Sequence, residues 1–515
     1  MDCNWRRFDL GRRVAWASLF AVLLGGLLTI VSVTMTSAQA SSDGWSSPVP
    51  LYTGPLRRVD RPVVVTDDEG RVHVFWELSE LSEGNPEAGP QRPKQIYYTV
   101  WNGRNWSVPT DIVAFPQGEL ISATADHASK LHLLWHSGLT LYYSQAGVSK
   151  AGSARGWSPP AAFGPAYPHG QIAVDGRDWL HRVYAGVGTR GPYHQLSKDG
   201  GTTWSPPVNV ARTTGAEAAA DWVRVAVNEK GVIHVVWTEF RLPDGWPPTG
   251  VYYSRSEDGG KTWSKAVQLA GEGYDQINVV SAGNAVHVAW NGMAGVTGRF
   301  HRWSSDGGKS WSEPSMVTLD SGTSGLPQLA IDGAGDLHFL TVGDNRLWYS
   351  SWRGQKWSEP TYVPSGDEAG IPPVGDSLDF RVRHIESPAM AMGKDGRLHA
   401  VFWDLRRDRG ITYIWYTSRL VSAPSVSPVR QPTSIPEPTA TPDFVTTGRL
   451  FGRSGPGAGL FSADPEIPRT TATPPDPSMV RWAPNPRASA FDGIWWSILA
   501  VGCAALFTAT YSGKQ

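Results

Sequence analysis

The chain has 515 residues but only two cysteines, which lie near its two ends at Cys3 and Cys503. The residues between them therefore form no disulfide framework, no cysteine-ligated metal or iron–sulfur site and no thiol nucleophile. If this long segment is exported, its hydrophobic core must hold it together without covalent crosslinks.

Charged residues are also scarce. Asp, Glu, Lys and Arg make up 18% of the chain, and the net charge is −1 at pH 7, whereas a typical chain has about 25% charged residues. This balance excludes a strong overall attraction to nucleic acid or anionic lipid, so we expect no nucleic-acid partner.

Glycine, proline and tryptophan are abundant instead, with 56, 40 and 25 residues. This composition is typical of a turn-rich and aromatic-rich fold, and it argues against long helices. The length alone suggests about three domains, but single all-β barrels and propellers also reach this size.

Apolar runs occur at both ends of the chain. Four arginines precede the run over residues 14–33, and Ala38-Gln39-Ala40 then has the form of a cleavage site. Residues 1–40 are interpreted as a signal peptide, with an uncleaved anchor helix as the alternative. Near the other end, residues 494–511 form a second run that begins with a tryptophan pair. We interpret residues 489–515 as a C-terminal transmembrane anchor, with a buried helix as the alternative.

Residues 421–488 are rich in proline and threonine and are interpreted as a disordered stalk. The predicted layout is a leader, a folded ectodomain over residues 43–420, a stalk and a membrane anchor. We therefore expect a single-pass protein of the cell membrane with a monomeric extracellular domain. The absence of cysteine from that domain favours a bacterial surface.

Two sequence elements recur along the ectodomain. The first is an apolar strand with histidine in its second position, at intervals of 59, 49, 53, 53, 51 and 61 residues. The repeated histidines are His73, His132, His181, His234, His287, His338 and His399. The second element is Trp-Ser, which begins at Trp45, Trp106, Trp157, Trp204, Trp263, Trp311 and Trp357.

The repeats predict an all-β fold of four short strands per unit, arranged radially as a β-propeller with seven blades, or six as the alternative. Trp45 precedes the first histidine strand, whereas no Trp-Ser follows the last one. We therefore expect the N-terminal strand, residues 43–52, to close the ring by pairing with residues 411–420.

Three units carry a tight pattern between their third and fourth strands, with serine, aspartate, glycine and tryptophan at fixed spacing. The residues are Ser197, Asp199, Gly201 and Trp204; Ser256, Asp258, Gly260 and Trp263; and Ser304, Asp306, Gly308 and Trp311. This pattern resembles the Asp box, or BNR repeat, of the sialidase (neuraminidase) superfamily. The turn lies on the blade face opposite the usual ligand funnel, so these residues are interpreted as structural.

The repeated histidines do not predict a metal site. Equivalent positions on a ring are spread out and do not converge on one ion, so we interpret them as core or inter-blade residues. We accordingly predict no metal and no cofactor.

The resemblance implies where a ligand would bind. Sialidase-type chemistry uses three arginines that grip a carboxylate, a tyrosine nucleophile activated by glutamate, and an aspartate as acid and base. Arg61-Pro62 partly echoes the family's first arginine motif. The candidate ligand-binding residues of the funnel face are Arg61, Arg224, Glu239, Arg241, Arg383, Asp404 and Arg406. Arg241 and Arg406 are predicted to grip an anion, and the catalytic residues stay unassigned.

Two departures count against an enzyme. Sialidase domains resemble six-bladed rings, and no tyrosine lies between Tyr362 and Tyr413, where the family's nucleophile is expected. The first hypothesis is therefore a binding module whose funnel face takes glycans or protein partners. The alternatives are an exo-acting retaining glycoside hydrolase of sialidase type and a scaffold for an envelope complex.

Overall fold

The computed structural model describes residues 44–421, apart from residues 60, 80–92, 189, 216, 243–244, 246, 294, 319–324, 344, 355 and 367–382. The predicted signal peptide, stalk and C-terminal anchor lie outside the described residues. Two 3-10 helices occur within them, η1 (Val148–Lys150) and η2 (Ala154–Gly156). A search of the described part of the chain for a helix long and apolar enough to cross a membrane finds none.

The described strands form seven antiparallel sheets of four strands each. The innermost strands are β2 (Val63–Thr66), β6 (Glu119–Ala125), β10 (Gln171–Val174), β14 (Ala218–Val227), β18 (Tyr274–Ala282), β22 (Gln328–Ile331) and β26 (Arg383–Met392). The second strands are β3 (Val72–Leu78), β7 (Lys130–Ser137), β11 (Leu180–Ala185), β15 (Ile233–Arg241), β19 (Ala285–Gly292), β23 (Leu337–Gly343) and β27 (Arg397–Arg406). The third strands are β4 (Lys94–Trp101), β8 (Thr140–Gly147), β12 (Pro192–Ser197), β16 (Pro248–Ser256), β20 (Arg299–Ser304), β24 (Arg346–Trp352) and β28 (Ile411–Leu420). The outer strands are β5 (Thr110–Phe115), β9 (Ala161–Pro165), β13 (Val208–Asn209), β17 (Val267–Ala270), β21 (Ser315–Thr318), β25 (Thr361–Val363) and β1 (Val49–Pro55).

The seven sheets form a closed ring. Each innermost strand contacts the next one in the order β2, β6, β10, β14, β18, β22 and β26, and β26 contacts β2 again. The predicted seven-bladed propeller is confirmed, and the six-bladed alternative is wrong. We number the blades one to seven in the order of these inner strands.

The N-terminal strand closes blade seven. Strand β1 pairs with β28 from Val49 opposite Tyr416 to Pro55 opposite Ile411, and Trp45 forms an isolated bridge with Arg419. The predicted closure is therefore confirmed, with pairing that extends a few residues beyond the predicted segment. Because the two ends of the domain share one sheet, opening the ring requires breaking this pairing.

The serine of each Trp-Ser element fastens the outer part of its blade. In blade four, Ser264 Oγ accepts a hydrogen bond of 3.1 Å from the backbone N–H of Arg255, and Ser254 Oγ donates to the Ser264 carbonyl at 2.8 Å. The serine Oγ makes the same backbone contact at 3.0–3.1 Å in the other six blades. The serine therefore satisfies a third-strand N–H group just before the outer strand begins.

The repeated histidine is fully buried and pairs with a ring of the third strand. Nδ1 of the histidine lies 2.7–2.8 Å from a tyrosine hydroxyl in five blades, as in His234 and Tyr253. In the two other blades the partner is a second histidine, at 3.1 Å for His181 and His194 and 3.0 Å for His287 and His301. These contacts confirm a core position for the histidines, and they tie the second strand to the third.

The Trp-Ser tryptophan of the next blade covers this ring. Trp311 of blade five meets Tyr253 of blade four edge-on at 4.8 Å, and Trp263 meets His194 at 5.4 Å. Four of the other five Trp-Ser tryptophans contact the third-strand ring of the preceding blade in the same way, namely Trp45, Trp106, Trp204 and Trp357. The exception, Trp157, contacts Phe75 of the preceding blade at 6.0 Å. The repeat therefore joins neighbouring blades as well as the strands within each blade.

The three serine–aspartate turns are stabilised by hydrogen bonds from their own side chains to their own backbone. Ser256 Oγ donates to Asp258 at 2.8 Å and accepts from the N–H of Gly260 at 2.9 Å. Asp258 also accepts the N–H and hydroxyl of Thr262, which lowers the pKa of its carboxyl group to about 2. The turns at Asp199 and Asp306 have the same bonds.

Gly260→Ala and Gly259→Ala separate two effects on stability. Both glycines have positive φ, +85° and +76°, so either substitution costs about 1–2 kcal/mol of left-handed strain. A Cβ at Gly260 would lie 2.2 Å from the His194 ring of the preceding blade, whereas a Cβ at Gly259 meets nothing within 4 Å. Denaturant unfolding should therefore show a further loss of about 1–3 kcal/mol for Gly260→Ala. Equal losses in the two variants would contradict this role of the inter-blade contact.

The buried histidines make stability fall in mild acid. Burial lowers the pKa of His234 to about 4, so below the ordinary value of about 6.5 the unfolded chain binds a proton that the folded chain does not. The contribution is complete above about pH 6.5 and is lost at about 1.4 kcal/mol per pH unit as the pH falls towards 4. His234→Gln should flatten the dependence of unfolding free energy on pH, measured in urea between pH 7 and 4.5. If the unfolding free energies of the wild type and His234→Gln fall in parallel as the pH is lowered, His234 is not a source of the acid sensitivity.

Candidate functional site

Acidic side chains recur at the start of the inner strands. In four blades a carboxylate pairs across the sheet with the residue four positions after the repeated histidine. The pairs are Glu119 with His136, Asp221 with Thr238, Asp275 with Asn291 and Glu386 with Trp403. Since the register is the same, these carboxylates lie at one level of the ring. We call these four residues, together with Arg61 and His169, the mouth layer.

Three of these carboxylates precede a strained residue. Trp222, Gln276 and Ser387 follow them directly and have φ of +48°, +53° and +52°. Each coincides with a shift in the pairing register of its inner strand. Left-handed backbone at a residue other than glycine costs about 1–3 kcal/mol and persists where surrounding structure enforces it, often at functional sites. The strained residues therefore mark this level of the ring as a candidate functional site.

Arg61, Glu119, His169 and Asp221 form a chain of contacts across four blades. Arg61 Nη2 lies 2.9 Å from Glu119 Oε2 and 3.2 Å from His169 Nε2. On the other side of the imidazole, His169 Nδ1 lies 2.9 Å from Asp221 Oδ1. Arg61 and His169 come just before β2 and β10, while Glu119 and Asp221 lie in β6 and β14. The ring closure of the propeller therefore brings these residues together.

Trp222 supports this cluster. Its ring stacks on the His169 imidazole with a centroid distance of 3.8 Å and an interplanar angle of 8°. The guanidinium carbons of Arg61 and Arg224 lie 4.9 and 5.3 Å from the centre of the same ring. Arg224 Nη1 also donates to the His169 carbonyl at 2.9 Å. The imidazole is thus fixed by a carboxylate, an indole and its own anchored backbone.

Burial lowers the pKa of the His169 imidazole, although neighbouring Asp221 raises it in part. The ring is therefore neutral at pH 7. His169 Nδ1–H donates a hydrogen bond to Asp221, and the Nε2 lone pair accepts a hydrogen bond from Arg61. Burial, and then the charge of Arg61, also lower the pKa of the Arg224 guanidinium.

The mouth layer offers donors for an anion at Arg61 and an acceptor for a hydroxyl group at Glu119, the side chain of which is 18% exposed. The Arg61 side chain is 22% exposed, and its two contacts both use Nη2. Within the described residues, no hydrogen-bond partner occurs at its Nε or Nη1. Nε–H and Nη1–H point to different edges of the guanidinium, so each is a single charged donor for an oxygen of a carboxylate or sulfate group. No group of His, Cys, Asp and Glu suited to hold a metal ion occurs in the part of the chain that the structure describes.

A groove adjoins the mouth layer between blades four and five. Tyr274, which precedes Asp275, lines it together with Trp290, Phe300, Arg302 and Met316, and its volume is about 510 Å³. Tyr274 and Phe300 pack edge-on at 5.1 Å, and Met316 is 45% exposed. Aromatic side chains beside a polar mouth suit a ligand with both rings and hydroxyl groups.

The structure brings only part of the predicted funnel set together. Arg61 and Arg224 meet at Trp222. Glu239 is buried in blade four, where it accepts from Thr214 and from the Trp237 indole N–H. Arg241 is exposed at the end of β15.

The candidates in blade seven are engaged in ion pairs, of which that between Arg383 and Asp404 is buried. Arg383 donates to both oxygens of Asp404 at 2.9 and 2.8 Å, and the Trp415 indole N–H donates to Asp404 at 3.3 Å. Burial raises the pKa of Asp404, although Arg383 lowers it in part. Arg406 is 3% exposed and lies 3.3 Å from Asp408. These contacts serve the packing of blade seven.

Sequence reasoning missed Glu119, His169, Trp222 and Asp275 as site residues. His169 had one usable signal, because it is a histidine outside the repeated position and directly before an inner strand. The four carboxylates share a spacing as well as a register, because Glu119, Asp221, Asp275 and Glu386 lie 13, 13, 12 and 13 residues before the repeated histidine of their blade. This recurrence was a usable signal in the sequence.

Comparison with known proteins finds distant similarity. No family model matches the sequence, and no curated protein matches it. A Dyadobacter fermentans protein of unknown function is 12% identical, with a TM-score of 0.46, over 73% of this chain and 100% of its own. An ulvan lyase of a polysaccharide lyase family is 13% identical, with a TM-score of 0.49, over 72% and 94%. A Trypanosoma rangeli sialidase is 13% identical, with a TM-score of 0.41, over 71% and 55%. Values this low assign neither family nor function.

Asp404→Ala should strongly destabilise the fold. It leaves the buried Arg383 guanidinium without its carboxylate, which typically costs about 3–5 kcal/mol. Asp336→Ala removes the partner of Arg353, whose side chain is 78% exposed, and should cost less than about 1 kcal/mol. Denaturant unfolding measures both values. A loss below about 1 kcal/mol for Asp404→Ala would show that Arg383 finds other support and is open to a ligand role.

Proposed function

We propose that the protein binds acidic glycans at the mouth layer and displays this site at the cell surface. The observation that supports the proposal is Arg61. Its guanidinium is partly exposed, has N–H groups without hydrogen-bond partners among the described residues, and is held in place by Glu119 and His169. Such charged donors suit the oxygens of a carboxylate or sulfate group of a sugar.

A glycan fits the surroundings of Arg61 better than a small inorganic anion does. Glu119, whose side chain is 18% exposed, is an acceptor for a sugar hydroxyl group. The groove beginning at Tyr274 offers aromatic edges and faces for further sugar rings. The mouth layer takes the charged sugar in this proposal, and the groove takes its neighbour.

Hydrolysis of sialidase type is the alternative, and the mouth layer favours it less. That chemistry uses a tyrosine nucleophile, and the six residues of the mouth layer include none. Two arginines, Arg61 and Arg224, meet here, whereas Arg383 pairs with Asp404. We therefore propose little or no hydrolysis of sialosides.

The remaining features of the proposal come from the sequence. The signal peptide, the Pro/Thr-rich stalk and the C-terminal anchor would present a monomeric propeller outside a bacterial cell. The turns at Asp199, Asp258 and Asp306 would be Asp boxes with a structural role, remote from the ligand. A protein partner at the same face is an outcome that the following experiment distinguishes.

Arg61→Ala should weaken binding of an acidic glycan by about 1.5–3 kcal/mol, the usual contribution of a hydrogen bond to a charged group. The measurement compares the full-length wild type and variant on an array of matched acidic and neutral oligosaccharides, followed by titration of the best ligand. Arg353→Ala is the matched control, because it removes an equal charge from an exposed position. Arg61→Lys should retain part of the affinity, since it keeps the charge but not the planar arrangement of five N–H donors.

Two outcomes would contradict this proposal. One is equal binding of acidic and neutral glycans, and the other is binding that Arg61→Ala leaves unchanged. Binding of a protein with no binding of any glycan would favour the protein-partner hypothesis instead.

A further inference from the structure

We propose that His169 makes anion binding at Arg61 depend on pH, so that the mouth layer binds acidic ligands more tightly in mild acid than at neutral pH. This inference rests on the proposed function, because it concerns the affinity of Arg61 for an acidic glycan. It adds a means of control to a site that would otherwise have one fixed affinity. The group that takes up the proton is the imidazole beside the guanidinium.

At neutral pH the imidazole occupies one of the donors of Arg61. Both hydrogens of Arg61 Nη2 are in use, since Nη2 lies 2.9 Å from Glu119 Oε2 and 3.2 Å from His169 Nε2. In any guanidinium one Nη2 hydrogen lies beside the Nε hydrogen, and the other lies beside an Nη1 hydrogen. Arg61 therefore has no two parallel donors that are both available to a ligand.

A proton on His169 changes this arrangement. The imidazolium carries N–H groups at both nitrogens and has no lone pair left to accept from Arg61. The Nη2 hydrogen that the neutral ring accepted becomes available, and in either of its two positions it lies beside a donor that has no partner among the described residues. Arg61 then offers two parallel donors to one carboxylate or sulfate group, which is the stronger form of this contact.

The proton also adds positive charge beside the ligand. The imidazolium is next to the guanidinium that holds the anion, and opposite charges a few ångströms apart attract even near the surface of a protein. By linkage, a bound anion favours the protonated imidazole to the same extent as the proton favours the anion. Affinity is therefore lowest when His169 is neutral, and it rises as the pH falls through the pKa of the imidazole in the complex.

The elements packed around His169 set the pH range of this effect. The charged and titratable groups that face the imidazole within the described chain are Arg61 before β2, Glu119 of β6, His136 of β7, and Asp221 and Arg224 of β14. Asp275 of β18 acts on Arg224. Burial lowers the pKa of His169 below 6.5, and Asp221 raises it in part. The change in affinity therefore belongs to the range between pH 7 and 5.

The experiment measures the affinity of the full-length protein for dextran sulfate and hyaluronate oligosaccharides between pH 7 and 5, with dextran as the neutral control. Sulfate groups stay ionised throughout this range, so the dextran sulfate arm excludes a change in the charge of the ligand. Ionic strength is held constant, because salt screens exposed charges, and circular dichroism at each pH verifies that the protein is folded. We expect the affinity for at least one acidic oligosaccharide to rise at least about fivefold from pH 7 to 5, the lower end of the usual coupling between two sites.

Three variants assign the effect to the imidazole. His169→Gln keeps a polar side chain beside Arg61 but does not titrate, so it should abolish the rise. His127→Gln is the matched control, because it alters a histidine that is 44% exposed and also pairs with an aspartate, Asp68 at 2.7 Å, and it should retain the rise. Asp221→Asn removes a charge that raises the pKa of His169, so the rise should move to lower pH. A purely structural role of Asp221 would weaken binding without moving it.

The two proposals fail in different ways. Binding that Arg61→Ala abolishes, but that has the same affinity at pH 7 and 5, would overturn this inference and leave the proposed function standing. A rise that persists in His169→Gln would also overturn it, since another group such as His136 would then take up the proton. Absence of Arg61-dependent binding of both acidic oligosaccharides at every pH would overturn both proposals.

Discussion

One contact recurs in six of the seven described blades, namely a buried histidine bonded to a third-strand ring that the next blade's tryptophan covers. In blade four, His234 bonds to Tyr253, and Trp311 of blade five packs on that tyrosine. Because each contact reaches from one blade into the next, it sets the distance and rotation between blades. The pairing of Val49 with Tyr416 then has to close the ring at the seventh step. A domain without disulfides thus obtains its stability from repetition of one polar and aromatic contact.

The mouth layer depends on that ring in a direct way. Its members come from different blades and are far apart in the chain, so no local structure brings Arg61 to His169 or His169 to Asp221. The repeated contacts hold the inner strands at fixed spacing. The residues at or just before the start of these strands are therefore also held at fixed distances from one another. The left-handed backbone at Trp222 persists because the strands on either side are already fixed.

Much of the fold follows from the sequence because repetition multiplies a weak signal. The histidine and Trp-Ser elements each occur seven times, which predicts the blade number, and the extra Trp45 predicts the closure. The candidate site was predicted only in part. Arg61 is a candidate through its resemblance to an arginine motif, whereas Arg383 and Arg406 are candidates through charge and position and lie in ion pairs with Asp404 and Asp408. Charge and position along a loop do not reveal a neighbouring carboxylate. The shared level of Asp221 and Asp275 was open to prediction, because they lie 13 and 12 residues before the repeated histidine of their blade.

His169 and the repeated histidines show how surroundings separate structure from chemistry in one residue type. His234 is fully buried and its Nδ1 is occupied by the Tyr253 hydroxyl, so a proton gained there would destabilise the blade. His169 is held as firmly, by Asp221 and Trp222, but its Nε2 faces the guanidinium of Arg61, whose side chain is 22% exposed. The repeated histidine is therefore enclosed within its blade, whereas His169 belongs to a polar cluster that ends at a partly exposed cation.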